Sequence, residues 1–171
     1  MDPPHPSIPT KPSIMPANVR AGQVLGLVEI TGGLGGPIDL SRLADEFGAD
    51  LVTLLPVVDA GEMLGLIKVD KGNVALTDSG VKFQKASKQK IRLLKDQLAK
   101  IEPFRTALKL TSNSKKGVTT REICEDLLWR DTRWHHNLEV NESLVQALLI
   151  HWSIYAGLLS YNGKTGKFLK V

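Results

Sequence analysis

Residues 66–76 read LIKVDKGNVAL, and this stretch decides the fold of the first half of the chain. Two short runs of β-prone residues flank the turn at residues 70–73, DKGN. Apolar runs on either side of a glycine-containing turn are typical of a β-hairpin. The stretch therefore predicts a hairpin, and Thr77 directly after it is well placed to cap a helix.

The three segments before this hairpin have apolar residues at helical spacing. The first begins after Val19 and is stopped by the glycine-rich residues 32–37. Asp39 and Asp50 can cap the second and third, because an aspartate side chain accepts hydrogen bonds from the free amides of a helix's first turn. Three helices followed by a hairpin predict a winged helix, with residues 48–50 as the corner of its helix-turn-helix.

The C-terminal half repeats this plan more loosely. Thr119 and Glu122 have the spacing of a capping box before a helix. Asn141 is a candidate cap for a long apolar helix, and residues 158–171 predict a closing hairpin. We therefore expect an α+β fold, mostly helical, with two tandem winged-helix-like units that carry short β-hairpin wings.

Four segments follow from this pattern. Residues 1–17 hold six of the nine prolines and are expected to form a disordered leader. The first winged-helix unit covers residues 18–81, and the second winged-helix-like unit covers residues 103–171. Residues 82–102 are predicted to form a connecting basic helix, as the continuation of one that begins near Ser79.

Composition excludes several classes of protein. No run of eighteen or more uncharged apolar residues is present, and the N-terminus lacks the pattern of a secretory signal, so we expect a cytoplasmic protein without direct membrane insertion. Cys124 is the sole cysteine and cannot form an internal disulfide. We expect it to be a buried structural thiol in a reducing compartment.

Two groups of residues resemble a phosphate-binding loop and a metal site, but each lacks the spacing or the surrounding structure that such a site needs. Residues 163–165, GKT, match the end of a phosphate-binding loop, but Leu158 occupies the position of the loop's first glycine and no room remains for a helix. His135, His136 and His151 do not have the spacing of metal ligands. We therefore predict no enzyme activity, no catalytic residue, no cofactor and no metal site.

Several runs of residues, taken in order, carry a resemblance to a known family: VRAGQVLGLVE at 19–29, DLSRLA at 39–44, LLPVV at 54–58, LTDSG at 76–80 and WSIYAGLLSY at 152–161. The chain resembles the AAA-associated C-terminal domain, which is found with ATP-binding subunits of nitrate/sulfonate/bicarbonate-type ABC transporters. The resemblance implies a regulatory or protein-interaction module with such an ATPase subunit as its partner. It also implies a location peripheral to the inner membrane through the transporter complex, and pairing as a homodimer.

A winged-helix transcriptional regulator is the alternative. A helix that reads a DNA groove needs Arg, Lys, Asn or Gln side chains that donate to bases and phosphates. The third helix, predicted over residues 50–64, has none of these, and its acids Asp50, Asp59 and Glu62 would face phosphate unfavourably. Groove reading by this helix is therefore disfavoured.

Basic residues are concentrated between Lys82 and Lys100, where seven stand against one acid. The interpretations left open are a solvated helix face, a docking surface for an acidic protein, and non-specific contact with nucleic acid. The candidate partner-binding residues are Lys85, Lys88, Arg92 and Lys95. We expect Trp129, Trp134 and Trp152 to be anchors of the core or of an interface.

Overall fold

The computed structural model describes residues 15–130 and 138–171. The first unit contains α1 (Ala21–Leu34), β1 (Ile38–Asp39), α2 (Leu40–Phe47), α3 (Leu51–Met63), β2 (Ile67–Asp70) and β3 (Asn73–Leu76). Helix α4 (Asp78–Lys85) begins at the end of the first unit and enters the connecting segment, which also contains α5 (Lys90–Leu98). The second unit contains α6 (Phe104–Ser112), β4 (Val118–Thr119), α7 (Thr120–Arg130), α8 (Leu138–Leu148, continued by a π-helical turn at Leu149–Ser153), β5 (Leu159–Asn162) and β6 (Lys167–Lys170).

Each unit folds its strands into a three-stranded antiparallel sheet. The strand order is β1-β3-β2 in the first unit and β4-β6-β5 in the second, with Ile38 opposite Val74 and Val118 opposite Phe168. Both units thus follow the order helix, strand, helix, helix, strand, strand. The predicted mostly helical α+β fold is confirmed, and each predicted hairpin gains a short third strand that the sequence pattern did not predict.

The junction between third helix and sheet is the same in both units. Gly65 and Gly157 end this helix with φ angles of 68° and 65°, a left-handed conformation that favours glycine. The residues that follow them, Leu66 and Leu158, are each 2% exposed. The second half is therefore a structural repeat of the first.

The helix caps are local features that follow the prediction closely. The side chains of Asp39, Asp50 and Thr77 accept hydrogen bonds from first-turn amides of α2, α3 and α4. Asn141 differs, because α8 begins at Leu138 and Asn141 therefore lies within the helix rather than at its cap.

The connecting segment forms two helices, so the prediction of a single helix through residues 82–102 is wrong. Ala86 ends α4 with an extended backbone at φ −75° and ψ 110°. Residues 84–90 contain no large apolar side chain, whereas Phe83 before them and Leu94 after them are buried. A continuous helix would have no apolar face to bury over these residues, and burial of such a face supplies most of a helix's stability.

One hydrophobic core runs through both units. The N-terminal segment joins it at Met15, which is 1% exposed, so the predicted disordered leader is too long by its last residues; residues 1–14 lie outside the described part of the chain. Trp152 is fully buried in this core, as expected of an anchor. Trp134 and the side chain of Trp129 lie outside the described residues.

Candidate functional site

Three of the four predicted partner-binding residues are exposed cations. Lys85 lies in the last turn of α4, Lys88 in the connection and Arg92 in α5, and all three are exposed. Among the residues that the structure describes, none of the three is paired with a carboxylate. The apolar side chains of Val81 and Ile91 are also exposed on these helices, at 36% and 44%. These five residues are called the basic strip below.

Lys95, the fourth predicted partner-binding residue, is not part of the basic strip because its ammonium group is engaged within the chain. Its Nζ donates a hydrogen bond of 2.9 Å to the carbonyl oxygen of Gly157, in a partly buried position. The bond joins α5 to the left-handed glycine that precedes β5. Lys95 therefore holds the connecting segment against the second unit, whereas the other three cations form no ion pair among the described residues.

A second cation of this region is also engaged within the chain. Lys90 forms an ion pair with Glu29 of α1, and its Nζ lies 5.9 Å from the centre of the Phe83 ring. A cation over an aromatic face is attracted by the ring's quadrupole. Lys90 thus attaches the start of α5 to the first unit, which sequence charge counting alone does not reveal.

The third helix of the first unit exposes an apolar surface. Leu51, Val52 and Leu55 in α3 are 41%, 79% and 43% exposed. With 3.6 residues per turn, Asp59 and Glu62 fall within the same arc of about 100° around the helix. These five residues are called the α3 face, which is apolar in its N-terminal half and acidic in its C-terminal half.

The two acids of the α3 face are each affected by neighbouring groups of the first unit. Burial, together with the neighbouring Glu62 carboxylate, raises the pKa of Asp59. Glu62 accepts a hydrogen bond of 3.1 Å from the backbone amide of Val69 in β2, the outer strand of the sheet. The Asp59 carboxylate therefore lies in a place where a cation from outside would be favourable.

The third helix of the second unit exposes apolar side chains in the same manner. Leu144, Ile154 and Tyr155 are 44%, 48% and 46% exposed, and His151 between them is exposed as well. These four residues are called the α8 face. The sequence shows that this helix is apolar on more than one side between Leu144 and Tyr155, but it does not show which side the fold leaves exposed.

An open cleft adjoins the α8 face. It measures about 440 Å³ and is lined by Arg20, Gln23, His151 and Tyr155, together with the first residues of α1. The lining includes no acid that could work with His151 as a catalytic pair. The cleft is a feature of the surface where α1 and α8 meet.

The other residues that could suggest catalysis, phosphate binding or metal binding do not form such a site among the described residues. Cys124 is buried, and burial raises the pKa of its thiol to about 12, which keeps it protonated and unreactive at neutral pH. Residues 163–165 lie in the turn between β5 and β6, where the Asn162 side chain accepts hydrogen bonds from the amides of Lys164 and Thr165. Within residues 15–130 and 138–171, no three His, Cys, Asp or Glu side chains are grouped as metal ligands would be. His135 and His136 lie outside the described residues.

Comparison with models of known families shows which family the chain belongs to. A family model described as the C-terminal AAA-associated domain matches residues 41–162. The chain belongs to this family. The match runs from α2 to the end of β5, so the basic strip, the α3 face and the α8 face all lie inside the AAA-associated domain.

Other comparisons add little to the description of this AAA-associated domain. No curated protein matches it. One solved structure, the crystal structure of CalO1, a methyltransferase in calicheamicin biosynthesis, in its SAH-bound form, aligns at 16% identity with a TM-score of 0.35. The alignment covers 73% of this chain and 39% of that protein, and so low a likeness bears on neither fold nor activity.

Among the described residues of this AAA-associated domain, no helix is both long and apolar enough to cross a bilayer.

Proposed function

We propose that this AAA-associated domain is a non-catalytic protein-interaction module that regulates the ATPase subunit of an ABC transporter of the nitrate, sulfonate or bicarbonate type. The proposal rests on the exposed apolar side chains of the third helix in each unit. Nine large apolar side chains are exposed among the described residues, and six of them lie on the α3 face and the α8 face. Clustered apolar side chains on a surface are typical of protein contacts.

Family membership supports the choice of partner. The family is named for its association with AAA proteins. We expect this chain to meet an ATPase subunit at the cytoplasmic side of the membrane and to lie peripheral to the inner membrane through the transporter complex. The α8 face supplies an aromatic anchor, Tyr155, beside the aliphatic Ile154. Tyrosine is enriched in the central contacts of protein interfaces.

The competing function is DNA binding as a transcriptional regulator. Insertion of α3 into a groove would bring Asp59 and Glu62 towards phosphates, which is unfavourable. The wing carries Lys68 and Lys71 on either side of Asp70. The basic strip would have to supply the affinity, and such binding weakens steeply with salt because it depends on counterion release.

A pull-down of the tagged full-length protein from its native cytoplasm, with nuclease present and with mass spectrometry of the bound proteins, tests the proposal. Recovery of an ABC ATPase or its permease is the expected result. Ile154→Lys should abolish that recovery, whereas Val171→Lys, at a 70% exposed position outside both faces, should preserve it. If DNA is recovered when nuclease is left out, and no ATPase is recovered, the result would contradict the proposal and favour a DNA-binding transcriptional regulator.

A further inference from the structure

The α3 face and the basic strip are open in the same molecule. Both α3 and α4 pack on α1, and α5 follows α4, while α3 shares no extensive contact with α4 or α5. Neither surface is therefore covered by the other within one chain. Each surface combines exposed apolar side chains with charged ones, and the basic strip takes its members from α4, α5 and the connection between them.

The two surfaces are complementary in charge. The α3 face carries Asp59 and Glu62, whereas the basic strip carries Lys85, Lys88 and Arg92 without a carboxylate partner among the described residues. A cation placed beside Asp59 would also offset the burial that disfavours its ionised form. Opposite charges that face one another guide the approach of two surfaces and select their register.

The apolar residues of the two surfaces are also suited to one another. The α3 face offers Leu51, Val52 and Leu55 over the first turns of a helix of 13 residues, which is about 20 Å long. The basic strip offers the exposed side chains of Val81 and Ile91, which flank Lys85 and Lys88 in the sequence. Helix surfaces of this kind pack together by interlocking their side chains, and the apolar area that is removed from water drives the association.

We infer that the α3 face of one copy of this chain binds the basic strip of a second copy. Because the two surfaces differ, the contact is head to tail, and each added copy leaves one surface of each kind open. This self-association rests on the proposed function only in that both surfaces contact protein. It leaves the α8 face of every copy available to the ATPase.

Two single-surface variants of the purified full-length chain test the inference by sedimentation velocity. Val52→Lys places a cation on the α3 face, at a side chain that is 79% exposed and therefore tolerant of change. The double variant Lys88→Glu/Arg92→Glu reverses charge on the basic strip. Each variant alone should be monomeric, with self-association weakened at least about tenfold, because like charges in a contact cost several kcal/mol.

The mixture of the two variants gives the decisive result. Val52→Lys retains an intact basic strip, and Lys88→Glu/Arg92→Glu retains an intact α3 face. An equimolar mixture should therefore form a one-to-one dimer that grows no further, while the wild type increases in mass with concentration and dissociates with salt. Lys164→Glu, a charge reversal in the β5–β6 turn, should behave as the wild type, and circular dichroism of each variant checks that it is folded.

The inference would be overturned by a wild type that stays monomeric up to millimolar concentration, by a Val52→Lys variant that associates like the wild type, or by a folded mixture that remains monomeric. Association of the basic-strip variant with itself would instead show that α3 faces pair with one another, and would overturn the head-to-tail contact. The experiment contains no ATPase. Its failure therefore leaves the proposed function standing, and a failed pull-down leaves this result standing.

Discussion

The indole Nε1 of Trp152 donates a buried hydrogen bond of 2.9 Å to the carbonyl oxygen of Val19, across 133 residues of sequence. Val19 precedes α1, whereas Trp152 lies in the π-helical turn that continues α8. The bond therefore ties the entry of the first unit to the third helix of the second. Since both groups are buried, neither has water to replace its partner.

Trp152→Phe should destabilise the protein by about 2–4 kcal/mol. The substitution leaves the Val19 carbonyl buried without a donor and leaves a cavity where the larger ring was packed. Urea unfolding followed by circular dichroism measures the change. Tyr155→Phe, which removes a hydroxyl from a side chain that is 46% exposed, should change the free energy of unfolding by less than about 0.5 kcal/mol. Equal stabilities for the two variants would contradict the role of the Trp152 bond.

Lys95→Met should cost about 1–2 kcal/mol of unfolding free energy. It keeps most of the aliphatic side chain but removes the charged donor to the carbonyl oxygen of Gly157. Lys88→Met is the matched control, because Lys88 is exposed and no ion pair is formed by it within the described residues. Its effect should stay within about 0.5 kcal/mol. Chemical denaturation of both variants decides whether Lys95 belongs to the structure or, like Lys88, to the surface.

The helix caps and hairpins could be predicted from the sequence because they depend on neighbouring residues. Asp50 caps α3 by accepting a hydrogen bond of 2.7 Å from the amide of Thr53, three residues away. The turn at residues 70–73 likewise needs only its own glycine and polar residues. In such cases a short stretch of sequence holds both partners of the interaction.

Features that depend on distant residues could not be predicted. The short strands β1 and β4 exist because they pair with β3 and β6, which come much later in the chain. The engagement of Lys95 depends on Gly157, and charge counting therefore placed it with Lys85, Lys88 and Arg92. The exposure of the α8 face depends on which side of an apolar helix the rest of the fold covers, and periodicity does not specify that side.

Glu122→Gln should weaken the protein by about 0.5–1 kcal/mol at neutral pH, the usual range for a helix cap. The Glu122 carboxylate accepts hydrogen bonds from the amide and hydroxyl of Thr119, at 2.7 Å and 2.8 Å, and these bonds lower the pKa of the carboxyl below its ordinary value of 4.5. Because the folded-state pKa is the lower one, this contribution to stability is present above pH 4.5 and is lost as the pH falls through the folded-state pKa.

Unfolding free energies measured from neutral to acid pH test this dependence on the Glu122 charge. The difference between the wild type and Glu122→Gln should shrink as the pH falls below 4.5. Glu46→Gln, at an exposed position of α2, should show no comparable trend. A difference between wild type and Glu122→Gln that stays constant down to acid pH would show that the charge of the cap plays no part.

Gly80→Ala and Gly33→Ala should have opposite effects on stability, although both glycines lie in helices. A Cβ atom at Gly80 would lie 1.9 Å from the carbonyl oxygen of Leu66, so α4 would have to move away from the sheet, and we expect a loss of more than about 2 kcal/mol. At Gly33 no atom lies within 4 Å of the added methyl group. There alanine should stabilise α1 by about 0.5–1 kcal/mol, because it restricts the unfolded chain more than glycine does. Thermal and urea unfolding of the two variants measure both signs, and a stabilising Gly80→Ala would contradict the close packing of α4 on Leu66.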